Sequence, residues 1–304
     1  MNTYSTITER ILKQLDAGVI PWRKTWRAGL PENLLTRKEY HGVNILVLGL
    51  AEFTSRYWLT YRQALQLGGH VRRGERATAV IYWKWRTPEE LEHLEAKTGK
   101  ANLAPCHPFT SAVFNLDQVE GIAHPDDETP NPPNRRMEIA ERMLSTTPKM
   151  PEIVHARTNE PAYNLALDRI TLPHLTQFDS VDEYYATLFH ELIHASGARH
   201  RLNRFAEAEG DRRERYSFEE LVAEFGGAFL CGFAGITNPK TEALQASYIQ
   251  GWATVLRQDP RMILKAASAA QRAADYVRGK LPIGEPAAAE DGRQEEAEVS
   301  AVAV

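Results

Sequence analysis

Two imidazoles four residues apart, with a carboxylate beside the first, make His190-Glu191-Leu192-Ile193-His194 the part of this 304-residue chain best equipped for chemistry. On an α-helix, positions i and i+4 share a face one turn apart. Both rings can therefore address one divalent cation while Glu191 stands beside it as a base. The chemistry implied is hydrolysis: Zn²⁺ acidifies a water toward a pKa of ~7, Glu191 takes its proton, and the same carboxyl later protonates a leaving amine. In a chain with ten histidines such a string also arises by chance, so the flanking residues decide its weight.

They favour a helix. Ser180 followed by Glu183 is a capping-box signal that starts one before Val181, and Gly197 is a natural stop. Tyr184, Tyr185, Leu188, Phe189, Leu192 and Ile193 recur at spacings of three and four, an apolar stripe that leaves the His190/His194 edge toward a cleft. Catalytic zinc usually takes three protein ligands and a water. In glutamate-type zinc peptidases a helical Glu supplies the third, and an acidic residue one turn later holds a ligand histidine in its tautomer. Glu219-Glu220-Leu221-Val222-Ala223-Glu224 fits, with Glu220 as ligand and Glu224 behind it, or the reverse. Against this, Ser217 and Glu220 also form a capping box. His200 is the rival ligand, because residues 190–200 match the longer H-E-x-x-H-x-x-G-x-x-H pattern. Arg201-Leu202-Asn203-Arg204 beyond it reads as solvated helix or loop. Residues 163–172 are expected to form the strand that lines the cleft. Tyr216, Arg199 and Tyr248 are candidates to steady an oxyanion.

A different chemistry opens the chain. The first 86 residues carry a net charge near +8, whereas the whole chain is at −4. That asymmetry points to a polyanionic partner for the amino-terminal part. Five of six tryptophans lie there too. Trp58 and Trp83 alternate with apolar neighbours and read as core. Trp22, Trp26 and Trp85 sit among Arg23, Lys24 and Lys84, the mixture of cations and flat rings that single-stranded nucleic acid requires. Gly68-Gly69-His70-Val71-Arg72-Arg73-Gly74 reads as a helix stop and a turn presenting Arg72 and Arg73.

The string from Trp22 through Tyr40-His41-Gly42-Val43-Asn44, Trp58-Leu59-Thr60, Gln63, Leu67-Gly68-Gly69, Arg72, Gly74-Glu75, Tyr82-Trp83 and Val113-Phe114-Asn115 resembles the ArdC family. The likeness continues through Ala162-Tyr163, Asp168, the metal helix, Arg201-Leu202-Asn203-Arg204 and Glu219–Glu224, and so covers roughly residues 4–280. The resemblance implies an antirestriction protein of conjugative plasmids. It joins an amino-terminal single-stranded-DNA-binding domain, shared with TraC-type primases, to a zincin-like metallopeptidase domain. It also adds Tyr40 and Asn44 to the residues expected at DNA. The family's aromatic-bearing segment after the second metal histidine is Ala195-Ser196-Gly197-Ala198 in this chain, and His200 stands where the family does not usually hold a histidine.

The expected fold is α+β, with a small α+β DNA-binding domain over residues 1–122 and a Pro-rich linker over 123–135. A mainly helical metallopeptidase domain follows over 136–281, with a disordered acidic tail over 282–304. Helices are expected near 5–16, 44–53 and 60–67, with a long helix or a pair over 241–277, and strands near 77–84, 112–115, 153–156 and 169–172. Two cysteines, no long apolar stretch and no apolar leader fit a cytoplasmic protein without a membrane partner. The expected ion is Zn²⁺, with Mn²⁺ the alternative. The sequence does not name the protein substrate; components of a restriction system are one example of what would be met on entering DNA. The competing reading is a protein that protects DNA by coating it, its metal only bracing the fold.

Overall fold

The computed structural model describes residues 3–18, 20–23, 29–51, 53–99, 106–125, 132–158, 160–206, 211–236 and 245–280. Its architecture is α+β. The amino-terminal part begins with α1 (Thr3–Asp16), a short β1 (Glu32–Asn33) and α2 (Val43–Gly49). β2 (Tyr57–Leu59) leads into α3 (Tyr61–Gln66), whose start is fixed by a reciprocal capping box between Thr60 and Gln63. After β3 (His70–Val71), the long strand β4 (Thr78–Trp85) returns through α4 (Pro88–Thr98) as β5 (Cys106–Asn115), followed by β6 (Val119–Glu120). The main sheet has the order β1-β2-β5-β4, and β3 pairs with β6 as a separate ribbon. α4 lies outside every expected element, although Thr87-Pro88-Glu89-Glu90 spells its cap and Gly99, at φ 67°, its stop.

In the carboxy-terminal part α5 (Pro133–Thr146) begins inside the expected linker, with Pro133 at its first helical position. β7 (Glu152–Ala156), β8 (Ala162–Asn164) and β9 (Arg169–Pro173) form a small sheet of order β7-β9-β8. The single strand expected over 163–172 is therefore a hairpin. β8 runs antiparallel to β9, and Asp168 reverses the chain at φ 49°, a left-handed conformation that Asp tolerates better than most residues. Then come α6 (Val181–Ser196), α7 (Arg212–Ala234), α8 (Gln245–Gln258) and α9 (Met262–Val277). Of the long helix or pair expected over 241–277, the structure has the pair, broken at Asp259-Pro260. The acidic tail lies outside the described residues. Among those residues no helix is long and apolar enough to cross a membrane.

The largest core ignores the expected linker. Ile7, Ile11, Leu15 and Trp22 from the amino-terminal segment pack in one buried cluster with Leu188, Phe225, Phe229, Trp252 and Leu256. Trp22 is 1 % exposed, edge-on to Phe225 at 4.7 Å and to Trp252 at 5.3 Å between ring centroids. Smaller clusters around Trp58 and around Tyr57 fill the two sides of the first sheet. Cys231 is buried in α7, where burial pushes its thiol pKa up.

The hairpin is pinned from below. Arg201, its side chain 1 % exposed, donates from both terminal nitrogens to Asp168 at 2.7 and 2.9 Å and also reaches the carbonyls of Lys149 and Ala195. The Tyr163 hydroxyl donates to the same carboxylate at 2.8 Å, and its own pKa is pushed up to about 12, chiefly by burial and then by Asp168. The Arg201 hydrogen bonds, more than any other contact, hold the Asp168 carboxyl below its ordinary pKa of 3.8. Asp168→Asn keeps the left-handed turn and removes the charge. The carboxylate is 38 % exposed, so a loss of about 2 kcal/mol is expected, read from the urea midpoint at constant m-value. Because the folded pKa is depressed, this stability is present above 3.8 and lost as pH falls through the folded value. Wild type and variant should converge in acid.

Candidate metal centre

α6 starts where expected, with Ser180 Oγ accepting from the Glu183 amide at 3.1 Å and Asp182 and Glu183 in the positively polarised first turn. It ends at Gly197, although not through a left-handed turn. Gly197 has φ −74°, and its missing side chain is what matters, because a Cβ would come within 2.7 Å of the Phe205 ring. α7 begins at Arg212, well before Ser217. The Ser217–Glu220 capping box therefore does not form, and Glu220 is free to face α6 from mid-helix. Two glycines on α7 allow the close approach: a Cβ at Gly226 would lie 2.7 Å from Ile193 Cδ1, and one at Gly227 would lie 3.4 Å from the His190 backbone.

At this contact His190, His194 and Glu220 converge, their candidate ligand atoms all within 4.8 Å of one another. The two Nε2 atoms are 3.2 Å apart. Glu220 lies 3.8 Å from His190 Nε2 and 3.6 Å from His194 Nε2. A tetrahedral ion with bonds of ~2.0–2.1 Å would hold its ligands roughly 3.3 Å apart, so the donor set and its spacing fit a divalent cation. Glu191 is 6 % exposed, and its Oε2 accepts the backbone N–H of Tyr163 on β8 at 2.7 Å. The hairpin thereby fixes one carboxylate oxygen of Glu191. The centre opens into a cleft of about 920 Å³ walled by Ala162 and Tyr163 on one side and by Phe178, Thr187, Phe205 and Tyr216 elsewhere.

Behind the donors stands a relay that the sequence reading missed. Glu219 Oε1 lies 3.1 Å from His194 Nδ1, and Arg204 grips the same carboxylate with hydrogen bonds of 2.6 and 2.8 Å. Burial alone would raise the Glu219 pKa, but Arg204 and then His194 outweigh it and hold it below the ordinary value. Burial likewise opposes charge on His194, yet the Glu219 hydrogen bond, followed by the charges of Glu219, Glu191 and Glu220, raises its pKa. Glu219 therefore stands behind His194, a place for which the sequence reading names only Glu224. Glu224 serves the other ring, at 3.9 Å from His190 Nδ1, and its Oε2 accepts the Trp22 indole N–H at 3.2 Å. The segment read as solvated is anchored by Arg201 and Arg204. Arg204 also reaches the Ile193 carbonyl at 2.8 Å and Ser196 Oγ at 3.2 Å. Asn203, at φ 54°, turns the chain back so that it can.

Other expectations are corrected. His200 does not join the converging donors: it points at Asp168, with Nε2 3.2 Å from Oδ2, outside the cluster. Trp22, Tyr40 and Asn44 cannot stack on or track nucleic acid in this structure, because they are 1 %, 5 % and 7 % exposed. Asn44 instead staples α2 to β4, donating to the Ile81 carbonyl and accepting from its amide at 2.7 and 2.8 Å. Trp83, read as core, is 47 % exposed, while Trp58 is buried. Arg72 and Arg73 are exposed on the turn after β3, Arg72 paired with Glu75 at 2.8 Å. Lys84 and Trp85 lie on β4, and Arg23 on a single 3₁₀ turn. Their side chains, like all of Lys24 and Trp26, lie outside the described residues. Tyr216 lines the cleft; Arg199 is exposed elsewhere, and the Tyr248 side chain lies outside the described residues.

Comparison with known proteins gives a family match for each half of the chain. Residues 1–114 match the N-terminal domain of anti-restriction factor ArdC, and residues 138–269 match a zincin-like metallopeptidase. The antirestriction ArdC protein from the R388 plasmid, in metal-free and Mn(II)-bound crystal structures, is 33 % identical. Both structures cover 92 % of this chain and 98 % of that one, with TM-scores of 0.74 and 0.72. The y4eC protein of Sinorhizobium fredii is 33 % identical, over 91 % of this chain and 92 % of its own. DNA primase TraC of Escherichia coli is 34 % identical over 90 % of this chain, which spans only 27 % of the primase.

Proposed function

Since the chain belongs to the ArdC family of antirestriction proteins, we propose that it binds single-stranded DNA through its basic amino-terminal region and cleaves proteins on that DNA at the His190–His194–Glu220 centre. The observation that carries the reading is the convergence of those three donors beside Glu191 in an open cleft. A centre that served only to brace the fold would favour four closed protein ligands and would have no use for an adjacent base. A divalent cation held by this cluster, Zn²⁺ or Mn²⁺, would polarise a scissile carbonyl and acidify an attacking water. Glu191 takes the proton of that water on the oxygen that Tyr163 leaves free, then delivers it to the departing amine. The edge of β8 offers an extended backbone along which a substrate strand can lie. Tethering to DNA would supply the substrate by effective concentration, with components of a restriction system the intended targets.

Support for the DNA half comes from the amino-terminal family match, the charge near +8 in residues 1–86, and the exposed Arg72 and Arg73. Phosphate contacts release counterions, so affinity for an oligothymidylate should fall about 10-fold or more between 50 and 200 mM salt. One experiment tests both halves: cleavage of an unstructured protein, with and without oligothymidylate, before and after chelation. Cleavage that is lost on chelation, restored by Mn²⁺ or Zn²⁺ and stimulated by the oligonucleotide is the expected result. Salt-independent DNA affinity, or cleavage indifferent to chelation, contradicts it.

A further inference from the structure

We infer that Trp22, from the amino-terminal segment, is a positioning residue of the metal centre, acting through Glu224 to hold His190. Three observations carry this. Its indole N–H donates to Glu224 Oε2 at 3.2 Å across 202 positions of chain. The other oxygen of that carboxylate faces His190 Nδ1 at 3.9 Å, an ion-pair rather than a hydrogen-bond distance, on the side of the ring away from Nε2, which points into the donor cluster. The indole cannot swing away, since it is 1 % exposed and clamped edge-on between Phe225, the next residue after Glu224 on α7, and Trp252 on α8.

The chemistry gives the contact a purpose. A histidine that binds metal through Nε2 must carry its proton on Nδ1, and a carboxylate facing Nδ1 fixes both that tautomer and the ring plane. Glu224 can do so only if it is itself held in rotamer and in charge. A buried indole N–H, unable to turn to solvent, is a suitable second donor because it stabilises the carboxylate without competing for the proton. The two imidazoles are then served by separate relays: Arg204–Glu219 for His194, built within the carboxy-terminal part, and Trp22–Glu224 for His190, closed by the amino-terminal part. The centre is therefore shared between the two halves of the sequence.

The inference rests on the metal-centre reading above but not on peptide cleavage, so its test reads metal affinity in the full chain. Mn²⁺ and Zn²⁺ affinities are measured by chelator competition for wild type, Trp22→Phe, Glu224→Gln and the double variant. Trp22→Phe keeps an aromatic ring in the core and removes the N–H. A tenfold or greater loss of affinity is expected from it, within the range found for groups that orient metal ligands. The double variant should bind no more weakly than Glu224→Gln alone, since the two residues act in series. A merely structural tryptophan would lower the melting temperature and leave metal affinity unchanged, or would add independently to Glu224→Gln; either result overturns the inference. If Trp22→Phe gives no cooperative melt, site-specific benzothienylalanine, the same shape without the N–H, replaces it under the same criteria. Metal binding without proteolysis removes the peptidase reading alone; a wild-type chain that binds neither ion removes both.

Discussion

Glu191→Gln is expected to lower metal-dependent protein cleavage by about 10³-fold while leaving Mn²⁺ and Zn²⁺ affinity within a few-fold of wild type. The two effects separate because Glu191 lies beside the three converging donors rather than among them. Its Oε2 accepts from the Tyr163 amide, and the amide oxygen of glutamine can accept the same bond, so β8 and the cleft should keep their form. What glutamine cannot do is take a proton from water. Single-turnover cleavage measured beside a metal titration checks the prediction, and cleavage at the wild-type rate would remove Glu191 from the mechanism. The same variant divides the two readings of biological role. If it still protects incoming DNA from restriction in cells, coating by the basic region suffices; if protection falls with cleavage, hydrolysis is the protective act.

How much of this could be read from the residues depended on the range of the interaction. α6 was legible from cap to stop because Ser180, the apolar stripe and Gly197 all act within one helix. Glu220 was preferred to Glu224 only by likeness to the helix-borne ligands of glutamate-type zinc peptidases, and the rival capping box does not form, since α7 starts five residues before Ser217. The division of labour between Glu219 and Glu224 was not legible. Which carboxylate meets which imidazole depends on how α7 lies across α6, and that is set by the space left at Gly226 and Gly227. Trp22 shows the limit most clearly. An indole among arginines and lysines has the same local pattern whether it stacks on bases or fills a core, and only the packing of the first segment against α7 and α8 decides for burial. Arg201 and Arg204 were misread for the same reason: charged side chains in a loop look solvated until their acceptors, Asp168 and Glu219, are brought in from 33 and 15 positions away.

Arg204→Met should be among the most destabilising single changes in the carboxy-terminal part, by about 3–5 kcal/mol, because it strands a buried carboxylate rather than simply losing a contact. Arg204 is 9 % exposed and supplies two of the hydrogen bonds to Glu219, and it also satisfies the Ile193 carbonyl at the last turn of α6. At roughly 2–4 °C per kcal/mol the melting temperature should fall on the order of 6–20 °C. In wild type the Glu219 pKa lies below its ordinary 4.5, so the pair stabilises above that pH and weakens as pH falls through the folded value. In the variant only His194 still opposes burial, so the Glu219 pKa rises from its wild-type position, and the gap to wild type should narrow as pH is lowered toward 4.5. Melting curves from pH 7 down to pH 5 check this directly, and a gap that stays constant would mean the lost packing of the arginine, not the stranded charge, sets the cost. Adding Glu219→Gln to Arg204→Met should recover part of the stability and none of the metal affinity. The amide no longer suffers from burial, but His194 has lost the carboxylate that orients its ring toward the ion.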